Sequence, residues 1–197
     1  MVEKFVNSNY FIESSKVINS ITNETSKINE ICNDIHECFR RNNKILIAGN
    51  GGSAADAQHF AGELTCTYKD PSRRPFSAIN LANNASAITA WTNDFDHLDF
   101  FSRQVEAYGV QNDILFLIST GGGDLNKKLS INLINAANKA IEKNIKVISL
   151  VGKTGGELEK ISNRFIKVKS NITSHIQEAH IAIIHSICES LENYNEV

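Results

Sequence analysis

Short apolar runs alternate with longer segments of helical periodicity along this chain of 197 residues. Residues 44–49, 113–119 and 146–152 are rich in β-branched side chains and apolar on both faces. Strands of that kind are buried on both sides, as in a parallel sheet. Residues 77–81 and 164–168 form weaker runs and are predicted to be edge strands.

Apolar residues recur at helical spacing in the segments between these runs and before the first of them. The first 42 residues are predicted to be a helical N-terminal extension, broken near Thr22, where Thr and Asn favour a helix cap. The other predicted helices cover residues 54–66, 86–92, 98–107, 125–143, 157–162 and 174–193. This succession predicts one α/β domain, a three-layer αβα sandwich around a mainly five-stranded parallel sheet, closed by a long C-terminal helix.

Composition and charge narrow the classes of partner. With 42% hydrophobic and 21% charged residues the chain has the composition of a soluble globular protein. A net charge of −2 gives no electrostatic reason to expect nucleic acid. No apolar run approaches the roughly 20 residues of a membrane span, and the N-terminus lacks a signal-peptide core. The four cysteines are scattered without a C-x-x-C pair, which favours reduced thiols and a cytoplasmic location.

Glycine-rich loops follow two of the strands predicted to be buried. Residues 49–53 open a helix, so their backbone N–H groups suit an anion, although a tight turn without a ligand explains the same glycines equally well. The segment is neither a Walker loop nor G-x-G-x-x-G. A second loop, residues 119–126, has the same position and offers the hydroxyls of Ser119 and Thr120. The two loops together favour a phosphorylated small molecule, while Asp124 would repel it unless its carboxylate caps the next helix.

Two helices carry the remaining candidate chemistry. His59 and Glu63 are four residues apart on one helix face, which suits a metal pair, a glutamate base steered by a histidine, or a plain surface contact. The last helix sets several polar groups among isoleucines, and such groups are expected to be hydrogen-bonded or functional. The isoleucines exceed what one sheet would cover and predict a contact between subunits. The polar groups are His175, Gln177, Glu178, His180 and His185, and the isoleucines are Ile176, Ile181, Ile184 and Ile187.

Five segments, in this order, resemble the phosphoheptose isomerases, which belong to the sugar isomerase (SIS) domain group. They read "AGNGGSAADAQHFAGEL", "WTNDF", "FSRQVEA", "ISTGGG" and "TSHIQEAHIAIIH", and the likeness extends from about residue 31 onward. The resemblance implies interconversion of D-sedoheptulose 7-phosphate and D-glycero-D-manno-heptose 7-phosphate, the first step toward bacterial surface heptose of lipopolysaccharide, lipooligosaccharide or capsule. It also implies a homotetramer with active sites at subunit interfaces and one Zn²⁺ per subunit.

The resemblance also assigns roles to individual residues. Glu63 and His185, rather than His180, correspond to the catalytic base and acid of an enediol proton transfer. The metal ligands implied are His59, Glu63, Gln177 and His185. The substrate-binding positions implied are Asn50, Gly51, Gly52, Ser53, Glu63, Asn93, Asp94, Ser119, Thr120, Gly121, Asp124 and Gln177.

Departures from the family pattern keep two alternatives open. The phosphate loop usually reads S-T-S-G-[NK]-S, whereas this chain has Gly121 and Asp124 at the third and sixth positions, so another phosphorylated sugar remains an alternative substrate. The other alternative is a non-catalytic SIS protein like the one that binds the replication initiator, which lacks a glutamate at the Glu63 position.

Gln177 and His185 are about 12 Å apart along a helix, so both reach one centre only if the helix bends or one serves a neighbouring subunit.

Overall fold

The computed structural model describes residues 7–193 and contains one sheet of five parallel strands. The strand order is β2-β1-β3-β4-β5, so the two weak apolar runs form the edges and the three strong ones lie in the centre, as predicted. The strands are β1 (Ile45–Gly49), β2 (Ala78–Asn80), β3 (Ile114–Ser119), β4 (Lys146–Val151) and β5 (Arg164–Lys167).

Helices cover both faces of the sheet, which confirms the predicted fold class. They are α1 (Ser8–Ser20), α2 (Thr25–Arg40), α3 (Gly52–Thr65), α4 (Ala85–Asp94), α5 (Phe100–Tyr108), α6 (Ile131–Glu142), α7 (Gly156–Ile161) and α8 (Thr173–Asn193). The break expected near Thr22 is a 3₁₀ turn, Ile21–Glu24, between α1 and α2. None of the helices in residues 7–193 combines the length and apolar character needed to cross a bilayer.

The alternation of side chains along each strand divides the core into two apolar clusters. Ile45 and Ile47 of β1 face the cluster formed with α2, α3 and α8, whereas Leu46 and Ala48 face the cluster formed with α5, α6 and α7. The helices α3 and α8 therefore lie side by side on one face of the sheet. This arrangement positions the candidate site.

The predicted helix over residues 125–143 is wrong at its start, because α6 begins only at Ile131. Asp124 and Leu129 exchange backbone hydrogen bonds of 3.0 and 2.9 Å and close a turn. The Asp124 carboxylate accepts the N–H groups of Asn126 and Lys127, both at 3.0 Å. The Asp124 carboxylate thus stabilises a turn, which is a common role of short acidic side chains, and it does not cap α6. Leu125 is 55% exposed, so the apolar periodicity there does not mark a core face.

The isoleucines of the last helix also differ from expectation. Ile176, Ile184 and Ile187 are fully buried within this chain, against the sheet and its neighbouring helices. These three are therefore not left over for a contact between subunits, whereas Ile181 is only partly buried, and the contact itself stays a prediction. Exposed apolar side chains are found on α1, among other places, where Phe11 is 64% and Ile12 50% exposed.

Candidate active site

A cleft of about 690 Å³ opens where the loops after β1, β3 and β4 meet the first turn of α8. In parallel α/β sheets this carboxyl edge is where ligands bind. Eight of the predicted substrate-binding residues line the cleft: Asn50, Gly52, Ser53, Ser119, Thr120, Gly121, Asp124 and Gln177. The cleft is also lined by residues that no sequence motif indicated, namely Lys127, Lys153, Thr154, Asn171 and Thr173. The position of the loop after β4, at the carboxyl end of a buried strand, was a signal for Lys153 and Thr154.

A second cleft, of about 490 Å³, lies at the opposite edge of the sheet and is a weaker candidate. Its carboxylate Asp34 is already paired, at 2.6 Å with Lys146 and at 2.9 Å with Arg164. These ion pairs hold α2 against β4 and β5. We therefore place the candidate site at the carboxyl edge.

The first glycine-rich loop is a tight turn that also directs the start of α3 into the cleft. A Cβ at Gly49 would lie 2.3 Å from the carbonyl oxygen of Ser53, and Gly51 has φ +57°, so both positions favour glycine for backbone reasons. The turn places Gly52 and Ser53, the first residues of α3, at the cleft wall. The glycines therefore make the turn, and the helix N-terminus beside the cleft also suits an anion, so the two interpretations of this loop are compatible.

The side chain of Asn50 is held by a residue that the sequence did not single out. Asn50 and Asn132 of α6 donate to each other's amide oxygens, both at 2.9 Å. Asn132 is only 7% exposed and its oxygen also accepts the N–H of Leu133 at 3.0 Å. The amide pair fixes the orientation of Asn50 at the cleft mouth.

The second loop uses most of its glycines for packing between loops. A Cβ at Gly122, which has φ +70°, would lie 1.8 Å from the carbonyl oxygen of Gly155. The carbonyl of Gly122 accepts the N–H of Leu158 at 2.8 Å. Ser119 Oγ accepts the N–H of Gly122 at 3.0 Å, so its hydroxyl hydrogen can still be donated to a ligand. Ser119 and Thr120 are thus two of the hydroxyl-bearing residues that line the cleft.

Glu63, His59 and His185 meet along the groove between α3 and α8. Nε2 of His59 lies 2.9 Å from Oε1 of Glu63 and 3.4 Å from Nε2 of His185. Because one ring nitrogen carries at most one hydrogen, His59 either donates to the carboxylate or accepts from His185. The Glu63 side chain is 21% exposed and His59 45%, so the cluster is open to a small molecule. Tyr68 stacks on His185 with ring centroids 5.8 Å apart.

Gln177 lies at the other end of the same groove. An added Cβ at Gly52 would come within 2.3 Å of its Nε2, which places the amide beside the first turn of α3. Seven residues of helix, about 10 Å, separate Gly52 from His59. The candidate site therefore has an anion end in the cleft and an acid–base end at Glu63, and Gln177 belongs to the first.

Asn93 and Asp94 do not line the cleft. They end α4, a helix with no buried residue, and the Asn93 amide donates to the Asp94 carboxylate at 2.7 Å. The cleft formed by this one chain therefore gives no support to the predicted contact of Asn93 and Asp94 with substrate.

The donor types of the acid–base cluster are those that zinc prefers. Two imidazole nitrogens and a carboxylate oxygen form a common catalytic zinc set, which leaves a fourth position open. In residues 7–193, however, no three His, Cys, Asp or Glu side chains are arranged around a common point as they stand. His59 directs Nε2 at both neighbours, so coordination would have to replace these hydrogen bonds. Three of the four expected ligands are adjacent, and Gln177 is not.

His180 has a structural environment. It is fully buried, its Nε2 lies 3.2 Å from the carbonyl oxygen of Val151, and burial lowers its pKa to about 4. The ring is therefore neutral near pH 7 and joins α8 to β4. This supports His185, which faces the groove, as the candidate acid.

Comparison with known proteins first defines the class. The family model described as "SIS domain" matches residues 9–152, so the fold and the loops at its carboxyl edge are those of a SIS-domain protein. A phosphoheptose isomerase of Helicobacter pylori (strain ATCC 700392 / 26695) is 38% identical over 194 residues, covering 98% of this chain and 97% of that protein.

Two solved structures agree with that relative. A phosphoheptose isomerase from Francisella tularensis superposes with a TM-score of 0.87 at 32% identity, covering 94% of this chain and 95% of the other. One from Neisseria gonorrhoeae gives 0.85 at 34%, covering 94% and 96%. This chain belongs to the phosphoheptose isomerase family. It is accordingly an enzyme of the aldose–ketose isomerase class and not a non-catalytic SIS protein.

Proposed function

We propose that this enzyme converts D-sedoheptulose 7-phosphate to D-glycero-D-manno-heptose 7-phosphate. The observation that carries the proposal is the separation along α3 between the anion end at Gly52 and the acid–base end, which is about 10 Å to His59 and about 16 Å to Glu63, whose carboxylate reaches back to His59. A seven-carbon 7-phosphate has its phosphate and its reacting carbons, C1 and C2, at opposite ends. A phosphate in the cleft would leave these two carbons in the groove beside Glu63.

The phosphate end has the groups that an anion needs. The N-terminus of α3 and the hydroxyls of Ser119 and Thr120 can donate hydrogen bonds to phosphate oxygens. Lys153 adds a positive charge from the loop after β4. The Asp124 carboxylate is bound to N–H groups of its own turn, which reduces its repulsion of the phosphate.

The proton transfer follows from the acid–base cluster. Glu63 removes the proton from C1 of the ketose while His185 donates a proton to the oxygen on C2, which gives the enediol. Glu63 then returns a proton to C2, and His185 accepts the proton from the hydroxyl on C1, which gives the aldose. His59, 2.9 Å from Glu63, holds the carboxylate in position through its hydrogen bond.

A zinc ion is a further part of the proposal. His59, Glu63 and His185 would hold one Zn²⁺ per subunit, and the bound ion would supply polarisation of the substrate carbonyl. Elemental analysis of the purified protein should give close to one zinc per chain, and less in the His59→Ala variant. A protein that turns over fully after metal removal would contradict this part.

We also propose a cytoplasmic homotetramer with active sites at subunit interfaces, acting in the first step toward surface heptose. The exposed apolar residues Phe11, Ile12 and Ile18 of α1 suit a contact between subunits. All four cysteines are free, which is in keeping with a reducing compartment. Light scattering at micromolar concentration should give the mass of four chains, and a monomer would contradict the assembly.

The substrate is tested by following ¹³C NMR of sedoheptulose 7-phosphate incubated with the enzyme. The expected result is an equilibrium mixture with the aldose, formed by wild type and not by Glu63→Gln. Fructose 6-phosphate and ribulose 5-phosphate serve as shorter competitors. Conversion of one of these with a higher kcat/KM than the heptulose would refute the proposed substrate and support the isomerisation of another phosphosugar.

A further inference from the structure

A buried ion pair lies directly behind the acid–base cluster. Arg73, in the loop between α3 and β2, donates from Nε to Glu192 of α8 at 3.2 Å, and both side chains are only 8% exposed. The desolvation of a buried pair often offsets its attraction, so such pairs are weak evidence for a purely stabilising role. The role of this ion pair therefore has to be found in the other contacts of Arg73 and Glu192.

Arg73 binds the backbone of the proposed base. Its guanidinium donates from Nη2 to the carbonyl oxygen of Glu63 and from Nη1 to that of Leu64 at 3.0 Å. These carbonyls belong to the last turn of α3, where no further helical N–H group is available to them. Phe76 packs against the guanidinium, with its ring centroid 4.6 Å away. The fork of Arg73 thus fixes the end of α3 from which Glu63 projects.

Glu192 fixes the loop on the other side of the cluster. Its carboxylate accepts the N–H groups of Tyr68 at 3.1 Å, Lys69 at 3.0 Å and Asp70 at 3.2 Å. Burial acts to raise the pKa of Glu192, but these N–H groups and Arg73 outweigh burial and leave the pKa below its usual value. The three bonds hold Tyr68 where its ring stacks on His185.

We propose that Arg73 and Glu192 form a positioning pair, which holds the Glu63 carboxylate and the His185 ring in the relative position that proton transfer needs. The ion pair thus connects the backbone of Glu63 to Tyr68, the residue that stacks on His185. Neither residue touches the substrate, and the inference rests on the proposed function for the roles of Glu63 and His185. A displacement of about 1 Å at such a site can cost up to roughly 10²-fold in rate.

The most specific test is the variant Arg73→Lys, which keeps the positive charge but replaces the planar guanidinium by a single ammonium group. Lysine cannot reach Glu192 and both carbonyls at once in the same geometry. Arg164→Lys is the matched control, because Arg164 also binds carboxylates, Asp34 and Glu30, but at the amino end of β5. Thermal unfolding measures the stability lost in each variant. Steady-state kinetics with sedoheptulose 7-phosphate separate kcat from KM.

The expected result is a kcat lowered by about 10- to 100-fold in Arg73→Lys with KM nearly unchanged, and near wild-type kcat in Arg164→Lys. Imidazole NMR signals of His59 and His185 should shift in Arg73→Lys only. Equal kcat in the two variants, or unshifted imidazole signals, would overturn the inference. If the wild type does not isomerise the heptulose, the proposed substrate fails, and the imidazole signals still decide whether the pair positions the cluster.

Discussion

The contact between Gly52 of α3 and Gln177 of α8 gives a prediction whose size follows from the distances there. Gly52 is the first residue of α3, and an added Cβ would lie 2.3 Å from Nε2 of Gln177, where ordinary contact begins at 3.4 Å. In Gly52→Ala the Gln177 amide must therefore withdraw by about 1 Å, the difference between 2.3 and 3.4 Å. The end of a flexible side chain can do so at little cost, and alanine is favoured over glycine in helices by about 0.5–1 kcal/mol. We expect an unchanged or higher Tm, together with a kcat/KM lowered by up to about 10²-fold.

Gly62→Ala is the control for this prediction. Gly62 lies on the same helix, and a Cβ there would meet nothing within 4 Å, so the variant adds the same methyl group in open space. Both variants are compared by thermal unfolding and by the rate of heptulose isomerisation. If Gly52→Ala and Gly62→Ala have the same kcat/KM, Gln177 has no part in the site, and its assignment to the anion end is wrong.

Three other changes test separate features. Glu63→Gln should fold normally and lose about 10²–10⁴-fold in kcat, and a near wild-type rate would remove Glu63 from the role of base. Asp124→Ser keeps an acceptor for the turn and removes a negative charge from the cleft, so KM for the sugar phosphate should fall; a rise would show that the carboxylate binds substrate. His180 has its pKa lowered to about 4, so between pH 6.5 and 4 the unfolded chain binds a proton that the folded one does not. His180→Gln should therefore lose about 3 kcal/mol less unfolding free energy than wild type over that range in urea denaturation, and identical losses would contradict the assignment.

The sequence predicted those parts of the structure that depend on local pattern. Runs that are apolar on both faces became the three central strands, and the loops after β1, β3 and β4 meet because parallel strands end at one edge. The spacing of His59 and Glu63 by four residues was enough to place them in contact on one helix face.

The remaining features depend on contacts that periodicity does not contain. A turn held by the Asp124 carboxylate replaces the first part of a predicted helix, because a local hydrogen bond competes with helix formation. The isoleucine face of α8 was recognised, but a pattern does not tell which surface covers it. Arg73 and Glu192 are 119 residues apart in sequence, so their pairing became visible only in the folded chain.

The most direct measurement of the central claim is isomerisation of sedoheptulose 7-phosphate in D₂O, followed by ¹H NMR at C1 and C2. A carboxylate base that passes through an enediol exchanges its proton with solvent, so we expect product formation with deuterium at C2 of the aldose and at C1 of recovered ketose. Glu63→Gln should abolish both signals. Product formed without any deuterium would contradict proton transfer through Glu63, and absence of product with the wild-type enzyme would contradict the proposed substrate itself.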